Sequence, residues 1–192
     1  MSKTKIIIIV GILLIVGFVI FNMNLKEKKS QLTGGSILNT DLPEIINNIN
    51  KEESYLEFTG HALGKIKSHS GKFEKWKVEL TVEKEKIEKI EAEIIANSVN
   101  TGIKDLDSHL KNEDFFVSKK YPKIKFSSES IKENKIIGKL TFREITKTIE
   151  FPINIEKNSI TGETTIDISE FGINYFGVSK LVDIKFKIVM GN

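Results

Sequence analysis

From about residue 53 onward, apolar and polar side chains alternate with a period of two, the signature of strands with one buried face. Tyr55 and Glu57 alternate with Leu56 and Phe58. Val78, Leu80 and Val82 alternate with Lys77, Glu79 and Thr81. Ile90, Ala92, Ile94 and Ala96 form a third set, and Ile124, Phe126 and Ser128 a fourth. Ile136–Phe142, Ile149–Ile155 and Thr164–Ile168 continue the pattern. Val182, Ile184, Phe186, Ile188 and Met190 close it against Asp183, Lys185 and Lys187. This predicts about eight antiparallel strands joined by short turns such as Glu133-Asn134 and Lys157-Asn158, hence a sandwich or a barrel. Eight strands closed on themselves leave an interior that side chains fill or that holds one small ligand. An inward face of Ile, Phe and Val suits either case.

Only Lys104–Phe116 breaks the alternation. Leu106 and Leu110 stand four apart there, as on one face of a helix. The stretch Asp105–Phe126 packs together an acid, a histidine, a double phenylalanine, a Tyr-Pro pair and an alternating strand. It reads as a short polar-faced helix handing apolar bulk to a strand. That suits a lid over a cavity, and a binder of a hydrophobic small molecule is the first functional expectation.

The N-terminal part has a different character. Met1–Lys5 is a short basic leader, and Ile6–Phe21 is sixteen residues without a polar side chain. As a helix these span about 24 Å, against a hydrocarbon core of roughly 30 Å. No small-x-small cleavage site follows, and no cysteine is available for lipidation. We read residues 1–25 as an uncleaved signal anchor forming a transmembrane helix, with a cleaved signal as the alternative. Lysines on both sides of the span leave its orientation open. Residues 26–51 read as a linker, with a short helical turn expected over Pro43–Asn50. Residues 52–192 read as the folded domain.

Composition narrows the function by exclusion. The net charge of +3 arises from 29 basic and 26 acidic residues, interleaved as in Glu83–Lys89. Such runs are solvated faces, and Arg143 is the only arginine, so a nucleic-acid partner is not expected. Cysteine is absent, which excludes disulfides, thiolate catalysis and cysteine-type zinc sites.

Several motifs together resemble the YceI-like family of extracytoplasmic lipid-binding proteins. Gly71-Lys72-Phe73-Glu74-Lys75-Trp76 is similar to its G-x-F-x-x-aromatic strand start. Asn100-Thr101-Gly102, Asp107-Ser108-His109-Leu110, Asp114-Phe115-Phe116 and Tyr121–Phe126 resemble its T-G, R-D-x-H-L, D-F-F and Y-P-x-I-x-F run. Gly138–Ile149 resembles G-x-L-T-x-x-G-x-T-K, and Ser169–Ile173 precedes the closing strand. Two positions depart: the family's arginine before the aspartate is Leu106, and the glycine before I-T-K is Glu144. The first leaves Asp107 without its neighbouring cation. The resemblance implies an all-β fold: an extended, lipocalin-like, eight-stranded antiparallel β-barrel with a short helical lid. It implies an elongated cavity for a polyisoprenoid or another long-chain amphiphile, no catalytic cofactor, and a periplasmic or extracellular barrel tethered through Ile6–Phe21.

A chain-binding cavity needs apolar area and few polar groups. Each buried methylene contributes about 0.8 kcal/mol, so sixteen carbons give a gross gain on the order of 12 kcal/mol before ordering costs. Twelve phenylalanines against one tryptophan and three tyrosines fit that need, although core packing accounts for many such rings. The expected lipid-binding set is Phe115 and Phe116, then Phe73, Trp76, Phe126 and Phe142. Phe171 and Phe176 join it because they flank Gly172 and Gly177. His109 with Asp107 either meets a head group or anchors the helix, His109 bonding Asp107 or a backbone carbonyl. Asp107-Ser108-His109 holds the residue types of a hydrolytic triad, but sequence neighbours cannot make its geometry, and no G-x-S-x-G elbow exists. His61 and His69 lack a third metal ligand nearby. Arg143 offers a phosphate contact or a surface ion pair. No enzyme is expected. The alternative to a lipid carrier is an adaptor barrel with a filled core that binds a protein, and a homodimer stays open.

Overall fold

The computed structural model describes residues 43–62 and 66–191. The expected anchor over 1–25 and most of the expected linker lie outside the described residues. Among the described residues, no helix is long and apolar enough to cross a membrane.

Among the described residues, the alternating sequence folds as one curled antiparallel sheet of eleven strands with a single α-helix. The strands are β1 (Glu44–Ile46), β2 (Tyr55–Ala62), β3 (Lys67–Phe73), β4 (Trp76–Glu83), β5 (Lys86–Ile95) and β6 (Val99–Asn100). After helix α1 (Lys104–Lys111) come β7 (Lys123–Lys132), β8 (Lys135–Phe142), β9 (Ile145–Ile155), β10 (Ser159–Asp167) and β11 (Val178–Val189). Their order in the sheet is β1-β4-β5-β7-β8-β9-β10-β11-β2-β3-β6.

Eleven strands replace the expected eight, for two local reasons. β3 continues into β4 through Glu74–Lys75, and β5 continues into β6 through a 3₁₀ turn at Ala96–Ser98. The two breaks face each other and are stitched together. Ile95 N–H donates to Lys75 O at 2.9 Å, and Glu74 N–H donates to Ser98 O at 3.1 Å. Ser98 Oγ accepts from Lys75 N–H and donates to Ile95 O. Each long run is therefore interrupted without losing its partner, since backbone groups leaving a ladder must be satisfied elsewhere. β4 pairs with β5, and β3 with β6, so the sheet curls until its two ends share these runs.

The remaining extra strand is β1. The helical turn expected over Pro43–Asn50 is not formed; Glu44–Ile46 instead pairs with Leu80–Val82 of β4. Ile49 is buried and bridges to Met190, so the folded unit begins within the segment read as linker. β3 also escaped the periodicity, because Lys67–Phe73 carries only one large apolar side chain. It forms because β2 offers its ladder from Glu57↔Lys72 to Ala62↔Lys67.

The inward faces make two apolar clusters at successive levels. One is built round Phe58, Phe73, Phe142 and Phe171, the other round Leu80, Ile136, Phe151 and Ile160. Glycines on the inner face let rings lie flat on the wall. Phe186 faces Gly162 directly across β10 and β11, where an added Cβ would stand 2.5 Å from the ring. Phe58 and Gly71 repeat the arrangement at 2.6 Å. The β8–β9 hairpin turns on Arg143–Glu144, with φ of 51° and 63°. Where the resembling pattern has glycine, Glu144 holds a left-handed conformation that costs a non-glycine residue about 1 kcal/mol.

Candidate functional site

Two apolar cavities occupy the interior. The larger, about 260 Å³, lies at the end where α1, the β8–β9 hairpin and the β10–β11 connection meet. α1 forms part of its wall with Leu106, His109 and Leu110, which share one helical face. Phe58, Phe73, Phe115, Phe116, Phe142 and Phe171 also line it. Phe116 is central, with ring centroids 5.6 Å from Phe73, 5.6 Å from Phe142 and 6.5 Å from Phe58. Glu57, His61, His69, Thr101 and His109 reach its boundary, and among the described residues no lysine or arginine lines it.

The smaller cavity, about 130 Å³, lies beyond the first and is bordered by Trp76, Phe126, Phe151 and Phe186. Lys51 covers Trp76, its ammonium 3.1 Å from the ring centroid and donating to Trp76 O at 2.7 Å.

The expected site residues therefore divide. Phe73, Phe115, Phe116, Phe142 and Phe171 line the larger cavity, whereas Trp76 and Phe126 line the smaller. Phe176 lines neither and is wholly exposed. It lies between Tyr175 and Gly177, whose φ of 79° is left-handed. Phe58 lines the larger cavity as well, and Tyr175 packs on two of its lining rings, His109 and Phe115. Phe58 was legible, being in phase with Leu56 on β2; Tyr175 was not, because no periodicity runs through its connection.

Asp107 has a structural task at the cavity boundary, where it holds Thr101. Its Oδ1 accepts the Thr101 hydroxyl at 2.6 Å and the Thr101 N–H at 2.7 Å. The Thr101 hydroxyl, then its N–H and the Lys111 charge, hold the Asp107 carboxyl below its ordinary value of 3.8. Because the folded pKa is depressed, this stabilisation is present above 3.8 and lost as pH falls through the folded value. We expect Asp107→Asn to cost about 1–2 kcal/mol at neutral pH. In urea unfolding, its difference from wild type should shrink as the medium is acidified below 3.8. A difference independent of pH would refute the assignment.

His109 is held by rings rather than by Asp107. Its imidazole lies edge-on to Phe115 at 5.0 Å and to Tyr175 at 5.3 Å, and Phe115 and Tyr175 are 5.3 Å apart. This triangle pins the β10–β11 connection to α1. Ser108 Oγ donates to Lys104 O, so the three triad-type side chains point to different partners. Arg143 Nη1 donates to Gly172 O at 3.1 Å, tying the β8–β9 turn to the same connection. His61 Nε2 lies 2.9 Å from Asp183 Oδ2, and Asp183 Oδ1 accepts the Thr165 hydroxyl. Among the described residues, no group of three His, Asp or Glu side chains could hold a metal ion.

Comparison with known proteins supplies the classification. The profile of the YceI-like domain matches residues 48–190. The chain belongs to the YceI-like family. That family is one of binding proteins rather than enzymes. A UPF0312 protein of Staphylococcus aureus strain N315 is 34% identical over 116 residues, covering 52% of this chain and 68% of that protein. Among solved structures, Burkholderia cenocepacia BcnA superposes with a TM-score of 0.67 at 22% identity, over 74% of this chain and 99% of that one. A polyisoprenoid binding domain from Saccharophagus degradans gives 0.58 at 12% identity, over 77% and 100%. A Campylobacter jejuni YCEI protein gives 0.54 at 18% identity, over 86% and 96%. These three share the fold. Within the YceI-like pattern, Leu106 replaces the arginine and turns an alkyl side chain to the larger cavity.

Proposed function

We propose that this YceI-like protein sequesters or carries a long-chain amphiphile, a polyisoprenoid or a fatty-acyl lipid, in its apolar interior. The observation that carries this reading is the unfilled lumen. Leu56, Phe116, Ile166, Val182 and Ile184 border the larger cavity, yet each keeps accessible surface. A barrel serving as a filled scaffold for a protein partner would bury those positions. The lining of the larger cavity is mostly apolar, with a few polar side chains at its boundary and no lysine or arginine among the described residues, which suits a hydrocarbon chain with its head group at the mouth. The polyisoprenoid-binding description of the Saccharophagus degradans domain points the same way.

Location is part of the proposal. The apolar run Ile6–Phe21 anchors the chain, and the barrel works outside the cytoplasm, close to the lipid it exchanges. The test is to purify the full chain, extract it with organic solvent and identify the extract by mass spectrometry. A stoichiometric chain lipid is expected. A protein that yields none, and takes up neither added prenyl nor added acyl chains, would overturn the reading and favour the adaptor.

A further inference from the structure

The two cavities have different walls except at five positions. Leu56, Ile94, Leu140, Ile166 and Ile184 border both. They come from β2, β5, β8, β10 and β11, so they form a ring round the lumen rather than a patch on one side. We propose that this ring is a waist that admits slender, flexible chains and decides whether the ligand's tail reaches the second chamber. The inference rests on the carrier reading above and adds the shape and length of the ligand to it.

The chemistry of the ring supports this assignment. Aromatic side chains line both chambers, Phe73 and Phe116 in the larger, Phe126 and Phe151 in the smaller. The waist itself is wholly aliphatic. Leucine and isoleucine swing between staggered rotamers within the space of one side chain, whereas a packed ring cannot. Leu56, Ile166 and Ile184 are only partly buried, so they have room to move.

Volume makes the same point. Neither cavity alone, at about 260 and 130 Å³, reaches the roughly 300 Å³ at which ligand pockets usually begin. Joined through the waist they exceed it. A flexible chain can use both spaces, while a rigid fused-ring lipid is confined to the first. Leu80, Ile136 and Ile160, all fully buried, form part of the second chamber's wall, and that wall limits the tail it can hold.

Trp76 is the only tryptophan and, of the two chambers, borders only the second, so its fluorescence reports a tail that has crossed the waist. The experiment titrates the full chain with straight-chain primary alcohols from octanol to octadecanol, reading affinity and Trp76 emission together. In wild type, short alcohols should bind without moving the emission. Beyond a threshold length the emission should shift, while affinity keeps rising about fourfold per added methylene. Ile166→Phe and Ile184→Phe place bulk into open lumen. Either should keep the short alcohols, stop the gain at the threshold and silence the emission change. Both variants following the wild-type length profile would overturn the waist. So would loss of the short alcohols from both, because that marks one undivided site. Wild type taking up no alcohol of any length, and no prenyl chain either, removes the carrier reading itself and the waist with it.

Discussion

Phe116→Asp should empty the protein of lipid, lowering retention by roughly a hundredfold or more, equivalent to about 2.7 kcal/mol. The ring of Phe116 is the shared neighbour of Phe58, Phe73 and Phe142, so its removal takes hydrocarbon contact from the middle of the larger cavity. The carboxylate that replaces it finds no lysine or arginine in the lining among the described residues. An unpaired charge in such surroundings keeps its water, and a ligand chain would have to strip that water away. The folded state should survive. Phe116 is only partly buried, which places the cost near the lower end of the phenylalanine range, about 3 kcal/mol. Its N–H still donates to Leu110 O, so the backbone turn after α1 is kept. Phe176→Asp is the matched control: that ring is wholly exposed and retention should not change. Lipid is quantified by mass spectrometry of organic extracts against protein concentration. A Phe116→Asp protein carrying lipid at the wild-type level would remove the larger cavity from the binding site.

The second large effect falls on a residue without a side chain. An alanine Cβ at Gly138 would stand 2.6 Å from the Phe126 ring and 2.6 Å from the backbone oxygen of Ser127. A ring can rotate, but the oxygen belongs to β7 and moves only with its strand. We expect Gly138→Ala to cost about 3 kcal/mol, the upper part of the usual range for overpacking. Gly60 provides the comparison, because nothing lies within 4 Å of a Cβ built there. Gly60→Ala should stay within about 0.5 kcal/mol of wild type. Gly162→Ala should fall between the two. Its close neighbours at 2.5 and 2.6 Å are atoms of the Phe186 ring, and the Pro152 carbonyl oxygen is farther away at 3.1 Å. Urea midpoints of the three variants check the order. Equal midpoints for Gly138→Ala and Gly60→Ala would show that the β7–β8 contact is not tight.

Much of this architecture was legible because strands with one wet face write their period into the chain. β4, β5 and β7 to β11 coincide with alternating runs, and α1 with the one helical spacing. The misses share a cause. β1 and β3 carry little apolar alternation of their own and are strands because β4 and β2 present unpaired edges to them. The interruptions at Glu74–Lys75 and Ala96–Ser98 leave no mark on periodicity, since they redirect a run without changing its composition. The departures Leu106 and Glu144 were visible as departures. Their meaning, an alkyl side chain at the cavity wall and a left-handed turn, needed coordinates.

The candidate site shows the same division more sharply. Phe73, the adjacent pair Phe115-Phe116, Phe142 and Phe171, far apart in the chain, surround one cavity, while Trp76 and Phe126 border the other. Alternation says that two such rings share a face. It does not say at which level of the barrel each one stands, because that depends on strand register and stagger. Phe176 was drawn into the set by its glycine neighbours, and the turn at Gly177 leaves its ring in solvent. By itself, the sequence determined the all-β class, the helical segment at the lumen, the family and the apolar character of the interior, since these follow from local period and residue type. Only the tertiary structure decided that the lumen has two chambers, that five aliphatic residues from five strands meet between them, and that Asp107 is occupied by Thr101. Those facts arise from side chains brought together across the sheet, and the distances between them are not encoded in any one segment.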